Sequence, residues 1–261
     1  MLLREPAEWV EPGIPAFAPK PFEDRRADPY DRDFQTVDAY TGFAFGHQLF
    51  GDGSGEGLYR TVDAFLLGRR SARSVLDVGC GVGRTLYDCA PLLSETAFTG
   101  LDYSYNMCLR AARILKGAEA FPLTGWERRG RPGVVFRSPR QLPNVSLMQG
   151  SAEDLPFAPM SFDAAVATLV LCRLRDPRKG LAEMVRVLKP GGRLLLATPL
   201  NFGTAENWER FVEPSRLRSE LQMLGLSIDE WFDGLRYREV IDAHGNAHEY
   251  NVRIISATLA F

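Results

Sequence analysis

The feature that most constrains this chain is a short glycine-rich turn that follows a run of β-forming residues. Residues 75–84 read VLDVGCGVGR, with three glycines at alternate positions: Gly79, Gly81 and Gly83. The pattern predicts a buried strand that ends in a tight turn and opens a helix, with no side chain to keep a ligand off the backbone. Asp77, just before the turn, is expected to fix the turn or to accept from a cationic amine. A dinucleotide turn of the G-x-G-x-x-G type is disfavoured, because Arg84 stands where its third glycine should be.

From residue 73 onward, predicted strands alternate with predicted helices, which indicates a parallel sheet with helices on both faces. The parallel strands are expected at 74–78, 97–101, 145–149, 162–168 and 193–198. Two long strand-like stretches, 228–241 and 247–259, then flank the turn-forming residues 243–246. The expected fold class is α/β, a doubly wound, mostly parallel sheet of seven strands that ends in an antiparallel hairpin.

The first 70 residues differ in composition from this repeating part. Residues 1–34 contain six prolines and many charges, which predicts an irregular arm on the surface or a partly disordered one. Residues 35–70 are aromatic and glycine-punctuated, with a helix expected at 58–67. This second stretch suits a lid or cap over a ligand and a simple packing helix about equally well.

Charge and cysteine content exclude several classes of function. A formal net charge of −2 argues against nucleic acid or an anionic membrane as partner. No apolar run reaches the length of a bilayer span, and the acidic, proline-rich start argues against a secretory signal, so a cytosolic protein is expected. The four cysteines lack ligand spacing, so we expect buried thiols and no metal site: Cys80, Cys89, Cys108 and Cys172.

An acid at the end of the second predicted strand is the next candidate site residue. Asp102 lies 19 residues after Gly83 and is followed by Tyr103. In doubly wound nucleotide sites, an acid at this place accepts hydrogen bonds from the ribose hydroxyls. The alternative is a carboxylate that favours the start of the following helix. The glycine turn upstream favours the ribose role for Asp102, with Tyr103 beside it.

Several motifs resemble one family. D-x-G-x-G-x-G at 77–83 resembles the first motif of class I S-adenosylmethionine-dependent methyltransferases, which have a Rossmann-like fold. QGSAEDLPF at 149–157 resembles the G-D-A-E-x-L-P-F segment of the ubiquinone/menaquinone-biosynthesis type of small-molecule methyltransferase. Residues 161–177 and 181–193 resemble the fourth strand, the next helix and the Leu-x-Pro-Gly-Gly turn of that type. The resemblance covers about residues 70–200 and implies S-adenosylmethionine as the cofactor.

In that family, the two residues after the glycine of the second motif meet the adenine through a side chain and a backbone N–H. The resemblance places Ser151 and Ala152 at these positions. Because serine replaces the acid of the motif, the contact to the adenine amine is expected to shift to Glu153 or Asp154. Thr168, at the end of the fourth strand, stands where the family touches the methionine part of the cofactor.

Methyl transfer requires few catalytic groups from the protein, because the sulfonium carries its own leaving group. The site must exclude water and hold the acceptor in line with the methyl carbon. Histidines that are common in the family are replaced here by Cys172 and Arg173, which removes a ready base. His47, in the aromatic segment, is the candidate general base, and a structural hydrogen-bonding role is its alternative.

The expected organisation is an arm (1–34), a helical, aromatic lid or cap (35–70) and a methyltransferase domain (71–261) with an insertion at 117–144. Five arginines of the insertion could hold a phosphate, an acidic carrier protein or RNA, or lie on a solvated hairpin: Arg128, Arg129, Arg131, Arg137 and Arg140. Aromatic residues within 198–211 could line an acceptor pocket or pack the loop.

The expected function is methyl transfer to the O, N or C atom of a small-molecule acceptor, aromatic or carrier-linked, with the oligomeric state left open. The alternatives are a silent, cofactor-binding partner protein and an RNA methyltransferase.

Overall fold

The computed structural model describes residues 8–11, 13–17, 28–50, 56–68, 71–117, 120–201, 204–211, 213–240, 244 and 246–260. The strands in these ranges are β1 (Glu8–Glu11), β2 (Ile14–Ala16), β3 (Ser74–Val78), β4 (Ala97–Asp102), β5 (Phe121–Pro122), β6 (Val135–Phe136), β7 (Val145–Gln149), β8 (Phe162–Thr168), β9 (Leu188–Thr198), β10 (Leu226–Val240) and β11 (Ala247–Leu259). The helices are α1 (Pro29–Arg32), α2 (Phe34–Ala44), α3 (Gly46–Phe50), α4 (Glu56–Leu67), α5 (Arg84–Cys89), α6 (Tyr105–Leu115), α7 (Pro177–Arg186), α8 (Ala205–Phe211) and α9 (Pro214–Met223).

The central sheet is mostly parallel and ends in an antiparallel hairpin, which confirms the predicted fold class. Its strand order is β1-β2-β7-β4-β3-β8-β9-β11-β10, and β7, β4, β3, β8 and β9 run parallel. β11 pairs antiparallel with both β9 and β10. Residues 243 and 245 of the turn predicted at 243–246, together with residues 241 and 242, lie outside the described residues.

The sheet has nine strands, so the predicted number of seven is wrong. The two additional strands, β1 and β2, lie within the N-terminal stretch that was expected to be irregular. Prolines argue against a strand, but Pro15 pairs beside a bulge in β1, where a missing N–H is tolerated. Ile14 and Ala16 are fully buried, and Ala16 pairs in parallel with Gln149 of β7. Burial of these alternate apolar residues therefore outweighs the proline signal.

Alternation along the parallel strands builds a core on each face of the sheet. Val75 packs into one apolar cluster, with Ile114 of α6, and its neighbour Leu76 packs into the other, with Leu181 of α7. Strands that are buried on both faces read as nearly continuous apolar runs, as residues 74–78 do. The polar groups of these strands are therefore concentrated at the strand ends, outside the two apolar clusters.

The insertion at 117–144 forms a short hairpin, β5 and β6, that packs against the N-terminal helices. Trp126 is buried, and its Nε1–H donates to the carbonyl of Asp38 in α2 at 3.0 Å. Three of the clustered arginines lie over aromatic rings: Arg129 over Trp126 at 5.0 Å, Arg131 over Phe50 at 4.0 Å and Arg140 over Tyr87 at 4.3 Å. The expectation of a solvated hairpin is thus wrong for this part of the insertion, whereas Arg128 and Arg137 are exposed.

Candidate active site

A cavity of about 620 Å³ opens at the carboxyl ends of the parallel strands, within the size range of small-molecule sites. This is where ligands bind in open α/β sheets. Eight of the residues predicted to bind the cofactor line it: Gly79, Gly81, Asp102, Tyr103, Ser151, Ala152, Glu153 and Thr168. Asp77 and Gly83 are absent from the lining: Asp77 lies in β3, just before the glycine turn, and Gly83 ends the turn as the N-cap of α5.

The glycine turn needs glycine both for its backbone angles and for space. Gly79, Gly81 and Gly83 have φ angles of 69°, 54° and 80°, in the left-handed region. A Cβ at Gly79 would lie 2.5 Å from Cγ2 of Val170, and one at Gly81 would lie 3.2 Å from the ring of Tyr40. The turn is held to β4 by two N–H groups, those of Gly79 and Cys80, which donate to the carbonyl of Leu101. The result is a bare backbone cradle at the cavity floor.

Asp102 joins this turn to the end of β4. Its Oδ2 accepts from the N–H of Gly81 at 2.8 Å, and its Oδ1 accepts from the N–H of Ser104 at 2.9 Å. Ser104 is the N-cap of α6, so the carboxylate also fixes the start of that helix. Each carboxylate oxygen has a further lone pair that can accept. Asp102 therefore faces the cavity with its position set by backbone amides, and its ribose role stays a prediction.

Asp77 is a buried acid behind the glycine turn. Burial raises the pKa of its carboxyl to about 8, and the negative charges of Asp102 and Asp63 add to the effect. Two acids close to the same cavity floor make it electrostatically suited to a cationic group. The sequence expectation that Asp77 meets a cationic amine is compatible with this environment and stays a prediction.

The loop after β7 is shaped by its own side chains. Oγ of Ser151 accepts from the N–H of Glu153 at 3.1 Å. Oε1 of Glu153 accepts from the N–H groups of Arg175 and Asp176 at 2.7 and 3.1 Å, at the start of α7. Asp154 is exposed and is absent from the cavity lining. Of the two acids proposed to take over the adenine contact, only Glu153 lines the cavity, and its carboxylate already binds backbone amides.

The end of β8 combines an unpartnered polar atom with unusual backbone geometry. Oγ1 of Thr168 is buried and has no hydrogen-bond partner among the described residues. Leu169, the next residue, has a φ of 59°, rare for a residue with a side chain, and its N–H donates to the carbonyl of Ala197 at 2.7 Å. Such strain and such orphaned atoms are concentrated at functional sites. No sequence pattern indicated the conformation of Leu169.

Four tyrosines from distant parts of the chain form an aromatic wall that the sequence did not predict. Tyr30, Tyr40, Tyr237 and Tyr250 all line the cavity. Tyr30 and Tyr40 meet edge to face at 5.8 Å, and Tyr237 and Tyr250 lie 5.3 Å apart. Burial raises the pKa of all four, that of Tyr30 to about 12, so the phenols stay neutral hydrogen-bond donors. A neutral phenol is not a proton acceptor of useful strength at pH 7.

Helix α1 covers part of the cavity, which Asp28, Pro29 and Tyr30 line. Asp31 holds the helix in place, because its Oδ1 accepts from the hydroxyl of Ser104 and from the N–H of Asn106. Nδ2 of Asn106 donates back to the carbonyl of Tyr30 at 2.9 Å. The covering segment thus begins within residues 1–34, upstream of the stretch from which a lid was expected.

The candidate base lies elsewhere. His47 is exposed in α3 and is not part of the cavity lining in the described chain. Tyr40, earlier in the same aromatic segment, reaches the cavity instead, so the geometry gives a base role of His47 no support. Cys172 and Arg173 do line the cavity.

The predicted aromatic loop also contributes differently from expectation. Phe211 is fully buried in the core under the sheet, while Pro199 and Asn201 line the cavity. Phe202 lies outside the described residues, as does the side chain of Trp208. Phe211 therefore follows the alternative of ordinary packing.

The ranges that the structure describes contain no group of three or more His, Cys, Asp or Glu side chains that could hold a metal ion. No helix in them is long and apolar enough to cross a membrane. All four cysteines are free and buried, as predicted.

Comparisons with known proteins agree with the motifs. A family model described as "Methyltransferase domain" matches residues 76–196. The demethylmenaquinone methyltransferase of Desulfitobacterium hafniense (strain Y51) is 34% identical over 123 residues, which is 47% of this chain and 40% of that protein. The chain thus spans well under two thirds of that relative's length.

Two solved structures share the fold. The YcgJ protein of Bacillus subtilis matches with a TM-score of 0.51 and 17% identity, over 77% of this chain and 99% of that one. The [4+2]-cyclase SpnF matches with a TM-score of 0.52 and 21% identity, over 77% of this chain and 80% of that one. At these identities, the likeness concerns the fold alone. The family match shows that residues 76–196 are similar to a methyltransferase domain, and the glycine turn and the sheet order agree with it.

Proposed function

We propose that this chain binds S-adenosylmethionine at the glycine turn and transfers its methyl group to a small-molecule acceptor in the same cavity. The observation that carries the proposal is the hydrogen bond of 2.8 Å between Asp102 and the N–H of Gly81. Because of it, the strand-ending acid and the bare turn face one cavity, as a ligand with a sugar and a charged tail requires.

Several local features fit such a cofactor. The cradle at Gly79 and Gly81 is one that a Cβ would fill, and the buried Oγ1 of Thr168 lacks a partner among the described residues. In the proposed arrangement, Asp102 accepts from the ribose hydroxyls, and the N–H of Ala152 meets the adenine. A cationic end beside Asp77 favours the ionised form of its carboxyl, whose raised pKa keeps it largely protonated at pH 7 without a ligand.

The acceptor is proposed to be a small molecule. The cavity of about 620 Å³ must hold both reactants, and α1 covers part of it. The name of the relative from Desulfitobacterium hafniense gives its acceptor as a demethylmenaquinone, so a quinone-like ring is one acceptor class for this chain. The four-tyrosine wall supports an aromatic ring, because edge-to-face contacts favour it.

The cofactor supplies an activated methyl group and its leaving group. The protein is proposed to position the acceptor and exclude water, because the lining phenols are neutral and His47 lies away from the cavity. An acceptor that ionises readily, or one attacked at an electron-rich ring carbon, suits a site without a strong base.

Calorimetric titration with S-adenosylmethionine and S-adenosylhomocysteine tests the first half of the proposal. We expect micromolar dissociation constants, and at least a tenfold loss of affinity in Asp102→Ala, because hydrogen bonds to a charged group are worth about 1.5–3 kcal/mol. The matched control is Asp176→Ala, which removes a carboxylate that also accepts from two backbone amides but lies outside the cavity lining.

Transfer of a labelled methyl group to a panel of phenols, hydroquinones and indoles tests the second half. Absence of cofactor binding at millimolar concentration would contradict the whole proposal. Binding without transfer to any component of the panel or of a metabolite extract would favour the silent partner protein instead.

A further inference from the structure

One of the arginines that line the cavity has no partner among the described residues. Arg173 follows the end of β8, and Arg175 lies two residues further along; these are the two basic side chains in the described lining. The guanidinium of Arg173 makes no hydrogen bond, ion pair or ring contact with any described residue. It therefore carries a positive charge into the cavity without a fixed counter-ion.

Other arginines in this protein are paired where they are buried. Arg84 binds Asp88 at 2.5 Å, Arg110 forms an ion pair with Asp38, and Arg193 binds Asp229 at 3.0 Å. An arginine that faces a ligand cavity and lacks such a partner has its fork of N–H donors available. Arg173 differs from these paired arginines in being exposed, so its donors are open to a group of a ligand in the cavity.

The surroundings of Arg173 limit what that group can be. Tyr30, Tyr250 and Glu239 interact with the guanidinium electrostatically, and all three line the cavity. Glu239 makes no ion pair in the described chain, so it weakens the local positive potential without closing the site. Neutral phenols beside a guanidinium are donors that suit the oxygens of a carboxylate.

We propose that the methyl acceptor is an aromatic molecule that carries an anionic group, a carboxylate above all, and that Arg173 binds this group. The inference rests on the proposed function, because it assigns the acceptor end of the same cavity. The ring lies against the tyrosines, and the guanidinium of Arg173 holds the anion. Arg173 is thus a specificity-determining residue at a position where the resembled family often has histidine.

The test uses two sets of three probes on the same ring, which carry an anionic, a neutral and a cationic group of similar size. One set is 3,4-dihydroxybenzoate, 3,4-dihydroxybenzamide and 3,4-dihydroxybenzylamine; the second is indole-3-acetate, indole-3-acetamide and tryptamine. Dissociation constants are measured at pH 7.5 for the intact chain saturated with S-adenosylhomocysteine. We expect at least one set in which the carboxylate binds roughly tenfold more tightly than the amide, as a charge-assisted pair allows.

Four variants separate the charge of Arg173 from its bulk. Arg173→Gln is expected to remove the preference for the carboxylate and Arg173→Lys to keep part of it, while both leave the thermal midpoint and the affinity for S-adenosylhomocysteine unchanged. Glu239→Gln is expected to increase the preference two- to threefold by removing an opposing charge. Arg137→Gln, at an exposed position outside the cavity lining, is the control and is expected to change nothing.

The outcomes distinguish the two proposals. Equal affinity within each set, no binding by any probe, or tighter binding of the amines would overturn the role of Arg173 while S-adenosylhomocysteine still binds. Persistence of the carboxylate preference in Arg173→Gln would do the same. Failure of the wild-type chain to bind S-adenosylhomocysteine would instead contradict the proposed function itself.

Discussion

The two sides of the cavity are built on different principles. On the turn side, formed by Gly79, Gly81 and Asp102, the polar contacts involve backbone amides. On the hairpin side, formed by Arg173 and three residues of β10 and β11, the lining consists of side chains with few fixed partners: Tyr237, Glu239 and Tyr250. One side is therefore specified by backbone geometry and the other by side-chain chemistry.

The two sides of the cavity therefore differ in how substitutions there affect the stability of the protein. A substitution on the turn side disturbs the fold, because the same hydrogen bonds that shape the site also join β3, β4 and α6. Substitution of Arg173 or Glu239 removes no hydrogen bond or ion pair among the described residues. Tyr237, by contrast, is buried and packs against Phe43 at 4.7 Å, so acceptor choice can vary at nearly constant stability through the first two rather than through Tyr237. Binding sites on a rigid scaffold commonly divide in this way.

The largest expected effect is on the free energy of unfolding. It tests whether the turn side needs glycine for space as well as for backbone angles, by comparing two glycines of equal φ. Gly79 and Gly133 both have φ of 69°, but a Cβ at Gly79 would lie 2.5 Å from Val170, whereas one at Gly133 meets nothing within 4 Å. The left-handed backbone costs a non-glycine residue about 1–2 kcal/mol, and overpacking adds about 1–3. We expect Gly79→Ala to lower the free energy of unfolding by about 3 kcal/mol and Gly133→Ala by about 1, measured by urea denaturation. Equal losses would contradict a steric role of Val170.

The next effect separates the site from the fold. Asp102→Asn replaces one acceptor oxygen with an NH₂ group that opposes an N–H of Gly81 or Ser104, so we expect roughly a tenfold loss of affinity for S-adenosylhomocysteine. Asp176→Asn is the matched change, because asparagine caps helices as well as aspartate does. Calorimetry should find the affinity of that control within twofold of wild type; a larger loss would mean that α7 shapes the site more than Asp102 does.

The pH dependence of thermal stability tests the effect of the buried acid behind the glycine turn. The pKa of Asp77 is raised to about 8 from 3.8, so the folded protein keeps a proton that the unfolded chain has already lost. Its contribution to stability is complete below about pH 4 and is lost as the pH rises towards 8. Asp77→Asn cannot ionise, so we expect its thermal midpoint to rise relative to wild type between pH 5 and pH 9.

Asp163 is the control of opposite sign. Burial alone would raise its pKa, but hydrogen bonds from Lys189, Arg73 and Ser74 outweigh burial and lower it. Its contribution is present above the ordinary pKa of a carboxyl and is lost in acid. Asp163→Asn should therefore differ from wild type at neutral pH and approach it below pH 4. A parallel shift of both variants at every pH would contradict these assignments.

The smallest expected effect lies on the hairpin side. The hydroxyl of Tyr250 has no hydrogen bond within the described chain, so Tyr250→Phe should change the free energy of unfolding by less than about 0.5 kcal/mol. Ser151→Ala removes an acceptor of the N–H of Glu153 and should cost about 1 kcal/mol. Chemical denaturation of both variants checks the order, and a larger loss in Tyr250→Phe would break the proposed division between the two sides.

The sequence predicted those parts of the molecule that have a local signal. The glycine turn, the parallel strands and the acid that ends β4 each depend on neighbours within a few residues, and the structure places Gly79, Gly81 and Asp102 together. Rossmann-like sheets bring the carboxyl ends of their strands to one edge, so linear motifs are sufficient there.

The parts that could not be predicted depend on contacts between distant segments. Nothing near Tyr30 or Tyr250 indicates that the two residues share a cavity, since 220 residues separate them. His47 was placed near the ligand because its segment is aromatic, but α2 ends at Ala44, and α3 carries His47 on an exposed face. The proline at position 15 obscured β2 in the sequence, because the strand character of β2 comes from its pairing with β1 and β7.

Ser104 gives its backbone amide to Asp102 and its hydroxyl to Asp31. One small residue thus links the acid proposed to bind the sugar to helix α1, which covers part of the cavity. Replacing Ser104 with alanine would keep the first bond but remove the second, together with the cap bond that its Oγ accepts from the N–H of Met107. One hydroxyl group therefore ties α1 to the start of α6, and its loss would loosen both.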